Sequence, residues 1–251
     1  MGNGRLQTEK VSAARLSIIS NTALIAMKCA SGIYTGSISI LSEAAHSAVD
    51  LVAALIAFFS VKTSSKPADR EHPFGHGKIE NISGALEAAL IFVAAAWIVY
   101  EAVRRLLHPA RVEAIGWGAA VMLVSCLVNL AVSRRLFTVG RRTESIALQA
   151  DAWHLMTDVY TSAGVMTGLS LVWAGGRFLP GFDLHWVDPV AALAVAALIL
   201  RAAWRLTVKS ARDLMDTALP SGEMNAIEDL ITTRHPEILG FHKLRARRSG
   251  H

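Results

Sequence analysis

The sequence predicts an all-α membrane protein, with six transmembrane helices followed by the start of a small cytoplasmic α/β domain. Three observations carry that prediction. Of the 251 residues 53% are hydrophobic and 18% charged, and the mean hydropathy is +0.39, too apolar for a typical soluble domain of this size. The apolar residues gather into six runs, each able, at about 1.5 Å per residue, to cross a hydrocarbon layer about 30 Å thick. Finally, Lys and Arg sit mainly in alternate segments between those runs. The net charge of +5 and the pI near 9.5 therefore reflect topology, and no nucleic-acid partner is expected.

Residues 1–13 read as a polar cytoplasmic tail that lacks the small-residue cleavage site of a signal peptide. Residues 14–212 hold the spans, near 14–34, 39–61, 82–103, 115–137, 146–173 and 187–207. Thr35-Gly36-Ser37 turns the chain between the first two. The polar stretch 62–81 follows the second, and Ser64-Ser65-Lys66-Pro67 with Gly75 and Gly77 mark it as a loop. Asp188-Pro189 suits the start of the sixth, because proline is tolerated in a first helical turn. Six spans put both termini on one side. Arg5, Lys10 and Arg15, then Lys62, Lys66, Arg70 and Lys78, then Arg134, Arg135, Arg141 and Arg142, and finally Arg205, Lys209 and Arg212 make that side cytoplasmic. Arg104, Arg105, Arg111 and Arg177 oppose the rule locally without matching that total.

Residues 213–251 change character. Ser221 is a candidate N-cap; Met224, Ile227, Leu230 and Ile231 give an amphipathic helix that breaks before Pro236, and Phe241–Arg247 reads as a short strand. One helix and one strand cannot bury a core, so the expected α/β domain is represented by its beginning, as if truncated. Cys29 and Cys126 lie singly in apolar runs and read as small packing residues, with neither a disulfide framework nor a thiolate site.

The chemistry lies in two spans. Asp151, His154 and Asp158 are spaced i, i+3 and i+7 on one helix face, and His46 with Asp50 repeats the His-x-x-x-Asp spacing of His154 with Asp158. An ionised carboxylate near a bilayer centre costs at least about 2.5–3.5 kcal/mol, so such residues need a partner, a proton or a metal. Two imidazoles and two carboxylates form a tetrahedral set that Zn²⁺ accepts without thiolate, whereas Mg²⁺ and Ca²⁺ prefer all-oxygen shells. Co²⁺, Ni²⁺, Fe²⁺ and Cd²⁺ fit the same donors, so the spacing does not fix the metal. Asp151, one turn before His154, is a candidate to orient it or pass protons. Lys28, Glu43, Glu87, Asn21, Asn129 and Gln149 are read as hydrogen bonds between packed helices.

With His46, Asp50, His154 and Asp158 on the second and fifth spans, the chain resembles the cation diffusion facilitator family of metal/proton antiporters. Tyr34-Thr-Gly-Ser-Ile-Ser-Ile-Leu-Ser-Glu-Ala-Ala-His46 and His72-Pro-Phe-Gly-His-Gly-Lys78 resemble signatures of that family too. The resemblance implies a homodimer that exchanges divalent metal ions for protons across the bilayer. With His rather than Asp at position 46, it implies the zinc-preferring version, which also accepts Cd²⁺ or Co²⁺. It further implies a loop-borne zinc site at Asp69, His72 and His76, where Gly75 and Gly77 let the backbone fold. A charge pair between Lys78 and Asp216, and a cytoplasmic metal ligand at His242, are implied in the same way. Thr138–Glu144 lacks the histidine run of many eukaryotic organellar relatives, which favours a bacterial-type protein of the inner membrane.

Zinc binds neutral imidazole and ionised carboxylate, so metal and protons compete for one set of atoms. Imidazole, titrating near pH 6.5, makes His46 and His154 the expected proton carriers. Two rivals are weighed. A membrane-embedded metallohydrolase would need an open metal position and a separate acid/base, as in His-Glu-x-x-His, which the sequence lacks. A metal-stabilised sensor or structural protein would bind metal without moving it.

Overall fold

The computed structural model describes residues 2–108, 117–178, 186–234 and 240–248. Seven helices lie in this part: α1 (Gly2–Thr35), α2 (Ile38–Ser64), α3 (Ile79–Leu107), α4 (Trp117–Arg142), α5 (Ile146–Phe178), α6 (Val187–Leu214) and α7 (Ser221–Arg234). Among the described residues five helices, α1, α2, α3, α4 and α6, are long and apolar enough to cross a membrane. The described side chains of α5 include Gln149, Asp151, His154 and Asp158. The expected start of the fourth span at 115, and the break before Pro236, lie outside the described residues, whereas the fifth helix continues past 173 to Phe178.

Local signals account for most boundaries. Gly36 takes φ +66°, and the Ser37 side chain then accepts from the Ile40 amide, capping α2. The loop between α2 and α3 is shorter than the polar stretch suggests, because Ile79-Glu80-Asn81 already belong to α3. The polar tail is likewise helical: α1 starts at Gly2. Lys10, one of the charges that assign the tail to the cytoplasmic side, is buried, with its ammonium 3.2 Å from Glu80. Glu80 also accepts hydrogen bonds from Ser64, at 2.8 Å, and from Ser145. One carboxylate thereby joins α1, α2, α3 and the α4–α5 turn at the end of the bundle that carries the N-terminus.

Packing divides the bundle into two parts. One core joins α1, α2, α4 and α5 through Ala13, Ala14, Val61, Val132, Leu136, Leu148 and Leu155. The other joins α3 and α6 to α5 through Ala88, Ile91, Ala95, Ile199, Ala203 and Leu206. Both use α5, so that helix holds the pair α3–α6 against the four-helix group. Gly84 permits this: a Cβ there would lie 2.6 Å from Ile146 and 2.8 Å from the Ser210 hydroxyl.

Beyond α6 the expected strand is not found among the described residues. Phe241–Arg247 contributes an isolated antiparallel bridge, Arg247 to Ala218. A strand needs a continuous partner ladder, and the described chain offers no second extended segment. α7 has no buried residue, and Leu230 is half exposed, as expected for one amphipathic helix without a core to cover it.

Candidate metal centre

α2 and α5 pack against each other, and their i,i+4 pairs meet. His46, Asp50 and Asp158 each offer a ligand atom within 4.8 Å of the other two. His46 Nε2 lies 3.6 Å from Asp158 Oδ1, and His154 Nε2 lies 3.1 Å from Asp50 Oδ1. Three of the four expected residues therefore bring ligand atoms to one point, and His154 adjoins them through its contact with Asp50. Asp50 and His154 are buried while the His46 side chain is half exposed, so the cluster is closed at its Asp50–His154 end and accessible beside His46. A divalent ion between these atoms would replace both imidazole–carboxylate contacts at once, since it supplies the positive charge that each carboxylate otherwise takes from an imidazole.

A cavity of about 180 Å³ opens on the cluster, lined by His46, Asp158, Lys28, Glu43, Asn129 and Cys126 among others. Asn129 donates from Nδ2 to Asp158 Oδ2 at 3.2 Å, fixing the carboxylate from α4. Lys28 is buried, with its ammonium 3.3 Å from Glu43 and 2.8 Å from the Ser47 hydroxyl. Sequence reasoning treated Asn129, Lys28 and Glu43 as helix-packing groups. Their helical spacing held a signal, since Glu43 is i−3 from His46 on the same face of α2.

Asp151 does not hydrogen-bond to His154. It is fully buried, neither carboxylate oxygen has a partner among the described residues, and His154 Nδ1 is equally unpartnered. The cause is angular: i and i+3 differ by about 60° around a helix, and His154 turns toward α2 while Asp151 turns toward Ser17 and Glu87.

A second cluster lies in the loop between α2 and α3, where Asp69, His72 and His76 also bring ligand atoms within 4.8 Å of one another. Asp69 Oδ1 accepts from the backbone amides of Glu71, at 3.0 Å, and His72, at 2.6 Å, and this turn presents both imidazoles to the carboxylate. His72 Nδ1 and His76 Nε2 each lie 3.4 Å from it, with the two rings 4.3 Å apart. Gly75, at φ +82°, reverses the chain between the histidines. The His72 amide, followed by the nearby imidazoles, holds the Asp69 carboxyl below the usual aspartate value. The residues present thus fit a metal ion with two nitrogen donors and one oxygen donor.

Lys78 and Asp216 meet at 2.6 Å, and Arg247 contacts the same carboxylate while its guanidinium stacks on Phe74. Lys78, then Arg247, holds Asp216 below the usual carboxylate range. His242 is exposed and joins no group of three potential metal ligands among the described residues.

The sequence matches the model of the cation efflux transmembrane domain over residues 14–215, which takes in all four residues of the α2–α5 cluster. An uncharacterized transporter of Synechocystis sp. is 39% identical over 237 residues, covering 94% of this chain and 74% of the relative. The cation-efflux pump FieF of Klebsiella pneumoniae is 34% identical over 229 residues, 91% of this chain and 73% of the pump. FieF of Salmonella paratyphi A is 33% identical over 231 residues with the same coverage. These matches, over nearly the whole bundle, establish that the chain belongs to the cation efflux family of membrane transporters.

Proposed function

We propose that the protein exports Zn²⁺, and with lower preference Cd²⁺, Co²⁺ or Fe²⁺, in exchange for protons across the inner membrane, with His46, Asp50, His154 and Asp158 as the transport site. The observation that carries this reading is the convergence of two imidazoles and two carboxylates from α2 and α5 beside a cavity within the bundle. Nitrogen and carboxylate oxygen suit zinc better than Mg²⁺ or Ca²⁺. In this reading α5 also crosses the membrane, which makes six spans, and both termini are cytoplasmic.

The exchange follows from the donor atoms. Metal binding needs neutral imidazole and ionised carboxylate; protons arriving from the other side restore the imidazole–carboxylate contacts and displace the metal. Alternating access then requires that the four-helix group and the α3–α6 pair shift against one another, and the two cores meeting on α5 are the place for it. The Lys78–Asp216 contact ties the loop preceding α3 to the end of α6 during that movement. Asp69, His72 and His76 hold a second ion in the cytoplasmic loop, off the transport path, and two copies of the chain form the working unit.

Purified protein in sealed vesicles with a set pH gradient tests this reading. Zn²⁺ entry accompanied by opposite proton movement is expected. Saturable Zn²⁺ binding without any flux would favour the sensor or structural alternative instead.

A further inference from the structure

We propose that Glu43 is a cation relay between the four-residue site and the far end of the bundle, and that the Lys28 ammonium is its latch. The proposal rests on the transport reading above and adds a route to it. Glu43 lines the cavity that opens on His46 and Asp158. It also lines a second cavity of about 300 Å³ among α2, α3, α5 and α6, whose wall includes Glu101, Arg105 and Pro189. Thr161 borders both cavities, so Glu43 and Thr161 form the partition between them. Glu101 and Pro189 lie near the ends of α3 and α6 that face away from the N-terminus. The two cavities therefore mark one line from the metal cluster toward the opposite face of the bundle.

A divalent cation moving along that line through an apolar bundle needs an anionic stop, because leaving one carboxylate with no other within reach exposes its charge to low dielectric. Glu43 supplies that stop. Its side chain is 39% exposed and borders both cavities, whereas that of Lys28 is 7% exposed and borders only the first. Lys28 neutralises Glu43 at 3.3 Å and also donates to Ser47 at 2.8 Å, so it can yield the carboxylate to a metal without losing its other bond. A second, independent feature points to a passing ligand. Asn129 lines the first cavity, is 6% exposed, and has an Oδ1 with no hydrogen-bond partner among the described residues. At the outer end Glu101 is neutralised similarly, by Arg104 at 3.3 Å and Arg105 at 3.0 Å. The line thus carries carboxylates at three depths, and the two outer ones are each covered by a side-chain cation.

A double-variant cycle separates a relay from a simple counter-ion to Lys28. Zn²⁺ flux into vesicles and equilibrium Zn²⁺ binding by calorimetry are measured for wild type, E43Q, E43D, K28Q and K28Q/E43Q. The expected result is flux at least about tenfold below wild type for both E43Q and K28Q/E43Q, with binding by the double variant within about threefold of wild type and most of the flux regained in E43D. Wild-type flux in K28Q/E43Q would overturn the proposal, because Glu43 would then serve only to neutralise Lys28. A loss of binding by the double variant in proportion to its flux would also overturn it, making Glu43 part of the metal cluster itself. Asp158→Ala in the same assay reports on the underlying reading: unchanged binding and flux there would reject the transport site, an outcome distinct from a fast double variant.

Discussion

The two imidazole–carboxylate clusters use the same side chains at opposite extremes of chain separation. In the loop, Asp69, His72 and His76 fall within eight positions, and a turn closed on the Asp69 side chain is enough to assemble them. In the bundle, His154 meets Asp50 across 104 residues, and the contact exists only because α2 packs on α5. The loop carboxylate is half exposed and accepts from two backbone amides. Asp50 is buried, so its charge must be met by His154 or by a metal. A ligand set whose formation depends on helix packing can be opened and closed by moving helices, whereas a set closed within one turn remains assembled whichever way the bundle faces. That difference suits the first to transport and the second to a stationary ion.

Removing a carboxylate from the bundle cluster gives the largest expected effect. Asp158→Ala is expected to lower Zn²⁺ flux in vesicles to background, since the metal loses an anionic ligand and His46 loses its partner at 3.6 Å. Flux near wild type would remove the cluster's claim to be the transport site.

Changing the donor type without changing the count comes next. His46→Asp converts two nitrogens and two oxygens into one nitrogen and three oxygens, and is expected to shift competition from Zn²⁺ toward Cd²⁺ or Mn²⁺ while flattening the pH profile. An unchanged Zn²⁺/Cd²⁺ ratio in competition assays would move selectivity from residue 46 to the surrounding helices.

The corresponding loss in the loop is expected to be partial. His72→Ala leaves Asp69 and His76 within reach of each other and should reduce flux by less than about threefold, while lowering the bound-zinc stoichiometry of purified protein. A loss as complete as that of Asp158→Ala would erase the distinction between a moving and a stationary ion.

The smallest effect concerns the charge pair near the loop. Asp216 lies below its ordinary value, so its stabilising contribution is complete above about pH 4 and is lost as pH falls through the depressed folded value. Asp216→Asn is therefore expected to lower the unfolding temperature by a constant small amount from neutral pH down to about pH 4, and by progressively less below it. A gap between variant and wild type that widens on acidification would show that the pair is held by something other than carboxylate charge.

Much of this was legible from residue order. Apolar runs separated by charged segments specify long helices because a hydrocarbon layer demands that backbone groups bond within the helix, and the repeated His-x-x-x-Asp spacing marks which two helices carry ligands. The loop cluster was equally readable, since Asp69, His72 and His76 need only local backbone geometry, with Gly75 at positive φ. What periodicity cannot give is the direction in which a helix turns its faces toward its neighbours. Residue order does not show that Lys10 lies beside Glu80; Asp151 shares a stripe with His154 yet faces Ser17 and Glu87. Spacing puts Glu43 on the face of His46, but the cavity that Lys28, Glu43 and Asn129 share with His46 exists only once the helices are packed. The expected strand at Phe241–Arg247 fails for a related reason, as strand-like residues become a strand only when another segment lies alongside. Sequence by itself determined the helices and the candidate ligand residues, because membrane insertion and donor chemistry are properties of residue type and spacing. Tertiary structure alone decided which buried charge meets which and where the open volume runs, because those depend on distances between helices that no local interaction sets.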